Sequence, residues 1–240
     1  MNIKKIIHSV EHRPWKIPDR NWKFYQEWNN AVFLHWQVDY HELRKFVPDV
    51  LEIDTFEGNP WVSVVAFSME KIRPHYLPYF PPISNFDEIN IRTYIKSKHK
   101  TGVYFLSIEG GNKISCKIAK GMSGLPYRYS KMNRTQQIYT SKNSGFGDSL
   151  KIEYTCKEKV NATTHLDKWL TERYALFQDY KDVIHEFEIH HIEWPIQALE
   201  IKKLSIDYSR FGTLISEVPD KTHYSKGVQV IAWGKEILHP

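Results

Sequence analysis

Apolar and polar positions along this chain recur mostly at a period of two and only briefly at 3.6. After Asn30, residues Ala31, Phe33, His35 and Gln37 fall on one face and Val32, Leu34, Trp36 and Val38 on the other, predicting a strand over Trp28 to Val38. Asp39, with Glu42 three residues on, opens a short helix whose Leu43, Phe46 and Val47 share a stripe until Pro48 stops it. Leu51 to Thr55 and Trp61 to Met69 are β-rich runs flanking Glu57-Gly58-Asn59 and are expected to pair as an antiparallel hairpin. The prolines and aromatics crowded between Arg73 and Asp87 cannot sustain a ladder and predict a long loop, either a pocket wall or a plain hydrophobic cover. Strands follow over Glu88 to Ile95 and Val103 to Ile108. Asn112 is placed to cap a helix that turns Ile114, Ile118 and Met122 inward and ends at Gly121 and Gly124. Pro126 to Met132, Thr135 to Thr140 and Leu150 to Cys156 read as three further antiparallel strands. Thr164 with Asp167 starts a helix over Leu166 to Gln178, striped by Leu166, Leu170, Tyr174 and Phe177. Val183 to Ile192, Glu200 to Ser205 and Val228 to Trp233 complete a strand-dominated chain, hence an α+β fold around a curved or closed antiparallel sheet.

Neither a repeat nor a linker divides the 240 residues, so one domain over 1–240 is expected, with 1–20 as an N-terminal arm. The 33 basic and 28 acidic side chains leave a net charge of +5, too little to demand a nucleic-acid partner. Lys96, Lys98 and Lys100 read as a basic turn, and Lys113, Lys117 and Lys120 as a solvated helix face. No apolar run approaches eighteen residues, so no membrane partner is expected, and Cys116 and Cys156 are too isolated for a disulfide framework. A cytoplasmic location fits. His185 and His191 share one strand face while His190 falls on the other with Glu186 and Glu188, which splits the histidine cluster and argues against a metal. With no glycine-rich phosphate cradle or dinucleotide fingerprint, no cofactor is expected either.

Six strings in order carry a resemblance. They are His12-Arg13-Pro14-Trp15, Phe33-x-His35-Trp36-x-Val38, Phe86-x-Glu88-x-Asn90-x-Arg92-Thr93-Tyr94, Gly124-Leu125-Pro126-Tyr127, Glu172-Arg173-Tyr174 and His223-Tyr224-Ser225-x-Gly227-Val228. Together they resemble the bacterial YqjF-like family of unknown function, nearly end to end. That family is similar to the acetoacetate-decarboxylase-like superfamily, which implies a strongly bent antiparallel sheet closing as a cone or barrel around a pocket, with a few flanking helices. The decarboxylase reaction needs a lysine that forms an imine, kept neutral by burial and a neighbouring cation. The superfamily's Gly-x-Pro-Lys-Lys string corresponds here to Gly124-Leu125-Pro126-Tyr127-Arg128, and neither a phenol nor a guanidinium condenses with a ketone.

On Glu88 to Ile95 the polar Glu88, Asn90, Arg92 and Tyr94 alternate with Ile89, Ile91, Thr93 and Ile95. Two orientations are open: the polar face meets water over an isoleucine core, or, as the resemblance implies, it faces an internal pocket. In the second, Glu88 and Arg92 pair to hold a small carboxylate, with Asn90, Tyr127, Arg128 and His35 as further candidate ligand-binding residues. His35 and His223 also read as satisfied buried imidazoles. The expected partner is a small anionic or aromatic organic molecule. An enzyme working on a keto acid through Glu88 and Arg92, and an oligomeric scaffold built as a homo-oligomer, are the alternatives. A buried ionisable group with a shifted pKa inside the cavity would favour the enzyme.

Overall fold

The computed structural model describes residues 3–159, 163–181 and 183–238; the ends of the expected 1–240 span, residues 1–2 and 239–240, lie outside the described residues. The first half of the chain forms α1 (Ile3–His8), β1 (Phe24–Gln37), α2 (Tyr40–Arg44), β2 (Glu52–Ile53), β3 (Trp61–Pro74), α3 (Pro81–Ser84), β4 (Phe86–Ser97) and β5 (Lys100–Gly110). Then come α4 (Lys113–Ser123), β6 (Tyr127–Tyr129), β7 (Lys131–Arg134), β8 (Ile138–Lys142), β9 (Ser149–Lys159) and α5 (His165–Thr171). The chain continues through β10 (Ala175–Tyr180), β11 (Val183–His190), β12 (Ile196–Asp207), a 3-10 turn (Ser209–Phe211), β13 (Lys221–Ala232) and β14 (Glu236–Ile237).

Seven strands close on themselves. β13 pairs β1, which pairs β3, and the order continues through β4, β5, β10 and β11 before β11 returns to β13 at Ile189↔Ala232 and His190↔Ile231. This is a ring of hydrogen-bonded strands rather than a regular barrel, since two of its seams are only two residue pairs long. One is β11 to β13; the other is the parallel seam of β10 with β5, at Leu176↔Val103 and Phe177↔Tyr104. Gly102 permits the second, because a Cβ there would lie 2.5 Å from the Ala175 carbonyl oxygen. Farther along, β13 pairs β12 at Tyr224 and Ser225, and β9, β8 and β7 continue from β12. The alternation read in the sequence now has two destinations. Val32, Leu34, Val64, Ile89 and Ile91 join Tyr139, Leu150, Ile152 and Tyr154 of β8 and β9 in the main core, while Phe33, Val65 and Phe67 face the other way with Trp194. Residues 88–95 of β4 are therefore buried on both faces.

Several expectations are corrected. β2 does not form a hairpin with β3: Glu52 and Ile53 pair Lys96 and Ile95 of β4, taking over the edge that β3 leaves after Val62↔Thr93. The intervening Glu57-Gly58 adopts positive φ and closes only its own small turn at Phe56↔Asn59. The loop after Arg73 is shorter than read, because β3 runs to Pro74 and two prolines open the one-turn α3. α4 is capped by Asn112 and ends at left-handed Gly124 as expected, with Gly121 inside it, but it buries Ser115 and Cys116 and leaves Ile114, Ile118 and Met122 exposed. β6 runs parallel to β5, so the sheet is not wholly antiparallel. The helix expected over Leu166 to Gln178 stops at Thr171; Phe177 is buried within β10, and Tyr174 is buried just before it against His12, Arg13 and Trp15 of the N-terminal arm. Residues 175–178, buried on both faces, have no alternation that would mark them as a strand.

The N-terminal arm is packed. Ile6 is fully buried with Trp22, Tyr25, Ile231 and Trp233, and Arg13 forms a buried ion pair with Glu188, which also accepts from Trp15 Nε1 at 2.9 Å. Trp15 and Trp22 thus belong to this anchor and not to a ligand cavity.

Candidate functional site

The ring encloses a cavity of about 530 Å³. Its walls are apolar, with Phe33, Val65, Phe67, Phe105, Phe187 and Trp194 among them, and Leu77, Pro78, Phe80, Ile118 and Met122 stand around it from the 74–84 segment and α4. Glu88, Asn90 and Arg92 line it together, because alternate residues of β4 share a face and Ile89 and Ile91 occupy the opposite one.

Tyr127 reaches the same space through register. β6 lies beside β5 with Tyr127 opposite Ile108, and Ile108 pairs Asn90, so the Tyr127 hydroxyl donates diagonally to Glu88 Oε2 at 2.7 Å. Glu88 is 2% exposed and has no salt bridge among the described residues. Burial raises its carboxyl to about 7, against hydrogen bonds from Tyr127 and Asn90 that favour the anion. Burial and the nearby Glu88 push the Tyr127 phenol well above its ordinary value, so it remains a donor at neutral pH. The same two causes raise the Cys116 thiol to about 11, which leaves it unreactive.

Arg92 sits one turn of the pleat beyond Asn90. Glu88 and Arg92 do not pair, which corrects the expectation: no carboxylate lies within salt-bridge distance of Arg92 among the described residues. Its Nη2 donates to the Leu170 carbonyl at 3.2 Å, its guanidinium lies 5.8 Å from the Phe33 ring centre, and its Nε is buried without a partner. Burial lowers its pKa, yet a guanidinium stays charged at any working pH. A second cavity arginine, Arg173, is engaged by Asp54 at 2.7 Å. The cavity face thus holds a carboxyl without a cation and a cation without a carboxylate.

Arg128 and His35 do not line the cavity. Arg128 binds Glu109 and Asp148 behind β5, at 3.0 and 3.1 Å. His35 is fully buried in a chain that starts at Asp167, whose Oδ1 accepts from Lys221 and from His223 Nε2, both at 2.7 Å. The remaining His223 Nδ1 accepts from His35 Nε2 at 3.1 Å, and His35 Nδ1 accepts from Ser63 at 2.6 Å. Ser63 meets the Tyr94 hydroxyl at 2.6 Å, which is 3.0 Å from the same Leu170 carbonyl that Arg92 uses. Burial, with His223 and Arg92 close by, keeps His35 well below the imidazole range and neutral. Sequence reasoning missed Arg173 and His191 as cavity residues. Arg173 lay in a quoted string but was assigned to a helix. His191, held to about 3 by burial, contributes an Nε2 with no partner. Among the described residues no three His, Cys, Asp or Glu side chains gather in a metal-holding group, and no helix is long and apolar enough to cross a membrane.

A family described as an uncharacterized conserved protein matches residues 25–229. The uncharacterized protein YqjF of Bacillus subtilis (strain 168) is 34% identical over 95% of this chain and 98% of its own. The chain belongs to the YqjF-like family. Among solved structures, the enduracididine biosynthesis enzyme MppR complexed with pyruvate aligns with this YqjF-like chain at a TM-score of 0.65 and 12% identity, over 93% of this chain and 92% of that one. Acetoacetate decarboxylase from Legionella pneumophila aligns at 0.59 and 12%, over 96% and 95%. The YqjF-like fold is therefore acetoacetate-decarboxylase-like, and at these identities the likeness is one of fold.

Proposed function

We propose that this YqjF-like protein binds a small organic carboxylate at Arg92 and exchanges a proton with it through Glu88, without forming an imine. The observation that carries this is the pairless couple on one strand face: a carboxyl poised near pH 7 and an uncompensated guanidinium, both opening on the same apolar cavity. A ligand carboxylate would give Arg92 its missing counter-ion through a fork of charge-assisted bonds. Glu88 would then stand along the strand from that anchor as general base or acid, with Tyr127 donating to it or to a ligand oxygen. The lysine among the cavity residues, Lys235, is exposed at the rim, and Tyr127 replaces the nucleophile at the position the superfamily string implies. A structural neighbour described as complexed with pyruvate supports a 2-oxo acid as the first ligand to try.

The test is proton NMR of 2-oxobutanoate in D2O. The wild-type chain should accelerate exchange of the C3 protons, with a pH midpoint near 7, and Glu88→Gln should lower that rate about 100-fold or more. Wild-type exchange no faster than buffer would remove the catalytic role. Arg92→Ala should weaken the acid and spare the matching ketone, and equal weakening of both would remove the carboxylate anchor.

A further inference from the structure

The volume and lining of the cavity bear on what the ligand carries beyond its carboxylate. At roughly 30 Å³ per water-sized volume, the 530 Å³ space holds about eighteen such volumes. Pyruvate has six non-hydrogen atoms and would leave most of that space as water against phenylalanine and tryptophan, which gains nothing from the apolar wall. The size falls within the roughly 300–1,000 Å³ typical of sites that enclose larger organic ligands.

The polar groups of the cavity are sparse and fall in two sets, a buried one that includes the β4 residues and an outer one of Gln26, Arg73 and Lys235. Glu88, Asn90 and Arg92 are 2%, 4% and 8% exposed, at the closed end. At the other extreme Leu77, Phe80, Ile118 and Met122 line the same cavity while being 59%, 60%, 41% and 55% exposed. Apolar side chains that are both cavity wall and open surface form a collar, and an apolar group that reaches it from inside would cover it. α4 makes this plain, because its apolar positions 114, 118 and 122 serve no core and its buried positions are the small Ser115 and Cys116.

We infer that the ligand is an amphiphile, a carboxylic acid whose alkyl or aryl body fills the apolar cavity from the Arg92 end and whose tail meets the collar of Leu77, Phe80, Ile118 and Met122. This rests on the proposed carboxylate anchor but goes beyond it to the size class of the substrate. A three-carbon acid occupies the polar end alone, and affinity then grows with chain length until the tail passes the collar.

Isothermal titration of the full chain with straight-chain 2-oxo acids of three, six, eight and ten carbons tests it, with the matching primary amides as a parallel series. Each added methylene should tighten binding about fourfold, the ratio that corresponds to ~0.8 kcal/mol per buried CH2. Affinity independent of length among the acids would overturn the amphiphile. Amides that bind as tightly as acids at every length, while still improving with length, would overturn the anchor and leave the amphiphile standing. The exposed double substitution Ile118→Glu with Met122→Glu should cost the ten-carbon acid at least tenfold, a loss that shrinks steadily as the chain shortens. Equal loss across the series would place the tail elsewhere and overturn the collar.

Discussion

At the residue scale, Glu88 ties stability to pH with a definite sign. Its carboxyl stands near 7 in the fold and has an ordinary value of 4.5, so between those values the native state keeps a proton that the unfolded chain has released. Stability from this group is present in full below 4.5, falls as pH rises through the window and levels off above about 7. At ~1.4 kcal/mol per pH unit the loss amounts to about 3 kcal/mol. Glu88→Gln keeps an acceptor for Tyr127 and removes the titration, so urea midpoints at pH 8 to 9 should rise above wild type while those at pH 5 stay close. A variant that is less stable at both would mean that the carboxyl supports the fold. Asp167 has the opposite sign. Burial pushes it up, but hydrogen bonds from Lys221, Thr164 and His223 outweigh burial and hold it well below 3.8, so its contribution is present above that value and is lost as pH falls.

At the element scale, α5 carries a role larger than its length. Thr164 and Asp167 form the capping box that their spacing predicts, and the second oxygen of Asp167 also anchors the chain of His223, His35, Ser63 and Tyr94. Thr164→Ala should cost about 1 kcal/mol, as lost caps do. Asp167→Asn should cost about 3 kcal/mol, because an amide has one acceptor oxygen where the carboxylate has two, so either the Thr164 N–H or the His223 Nε2–H faces an NH2 group, and the charge opposite Lys221 is lost as well; equal denaturant midpoints for the two variants would show that the buried chain contributes nothing. The cap was legible because it is local, whereas its second use was not, since His223 lies 56 residues away. The same division holds elsewhere. β1 and β4 could be read from alternation, β5 was read only as a further strand, and the cavity face of β4 was one of two orientations its alternation allowed. β10 could not, being buried on both faces, and the partner of β2 could not, because hairpin spacing does not say which strand edge is free. Arg128 was drawn toward the site by its neighbour Tyr127, but adjacent residues of a strand face opposite sides, and its guanidinium joins Glu109 and Asp148 instead.

At the scale of the whole molecule, the ring is closed by unequal joints. β1 shares eleven register pairs with β13, while β5 with β10 and β11 with β13 share two each. Native-state hydrogen exchange should find the amides that cross these two short seams opening before those in the middle of β1, and uniform protection around the ring would contradict that order. Gly102→Ala drives a Cβ into backbone at the weaker parallel seam and should destabilise the chain by several kcal/mol, read as a lowered denaturant midpoint. The two faces of β4 also differ in how freely they can change over generations. Ile89 and Ile91 are packed on all sides, so substitutions there leave voids or clashes and are paid for in stability. Glu88, Asn90 and Arg92 border open volume, so new side chains at those positions would change the shape and charge of the cavity while leaving the packed face untouched. A single strand thus carries positions held by packing on one face and positions bordering open volume on the other, so a few changes on the inner face alone would remake the cavity wall without disturbing the packed one.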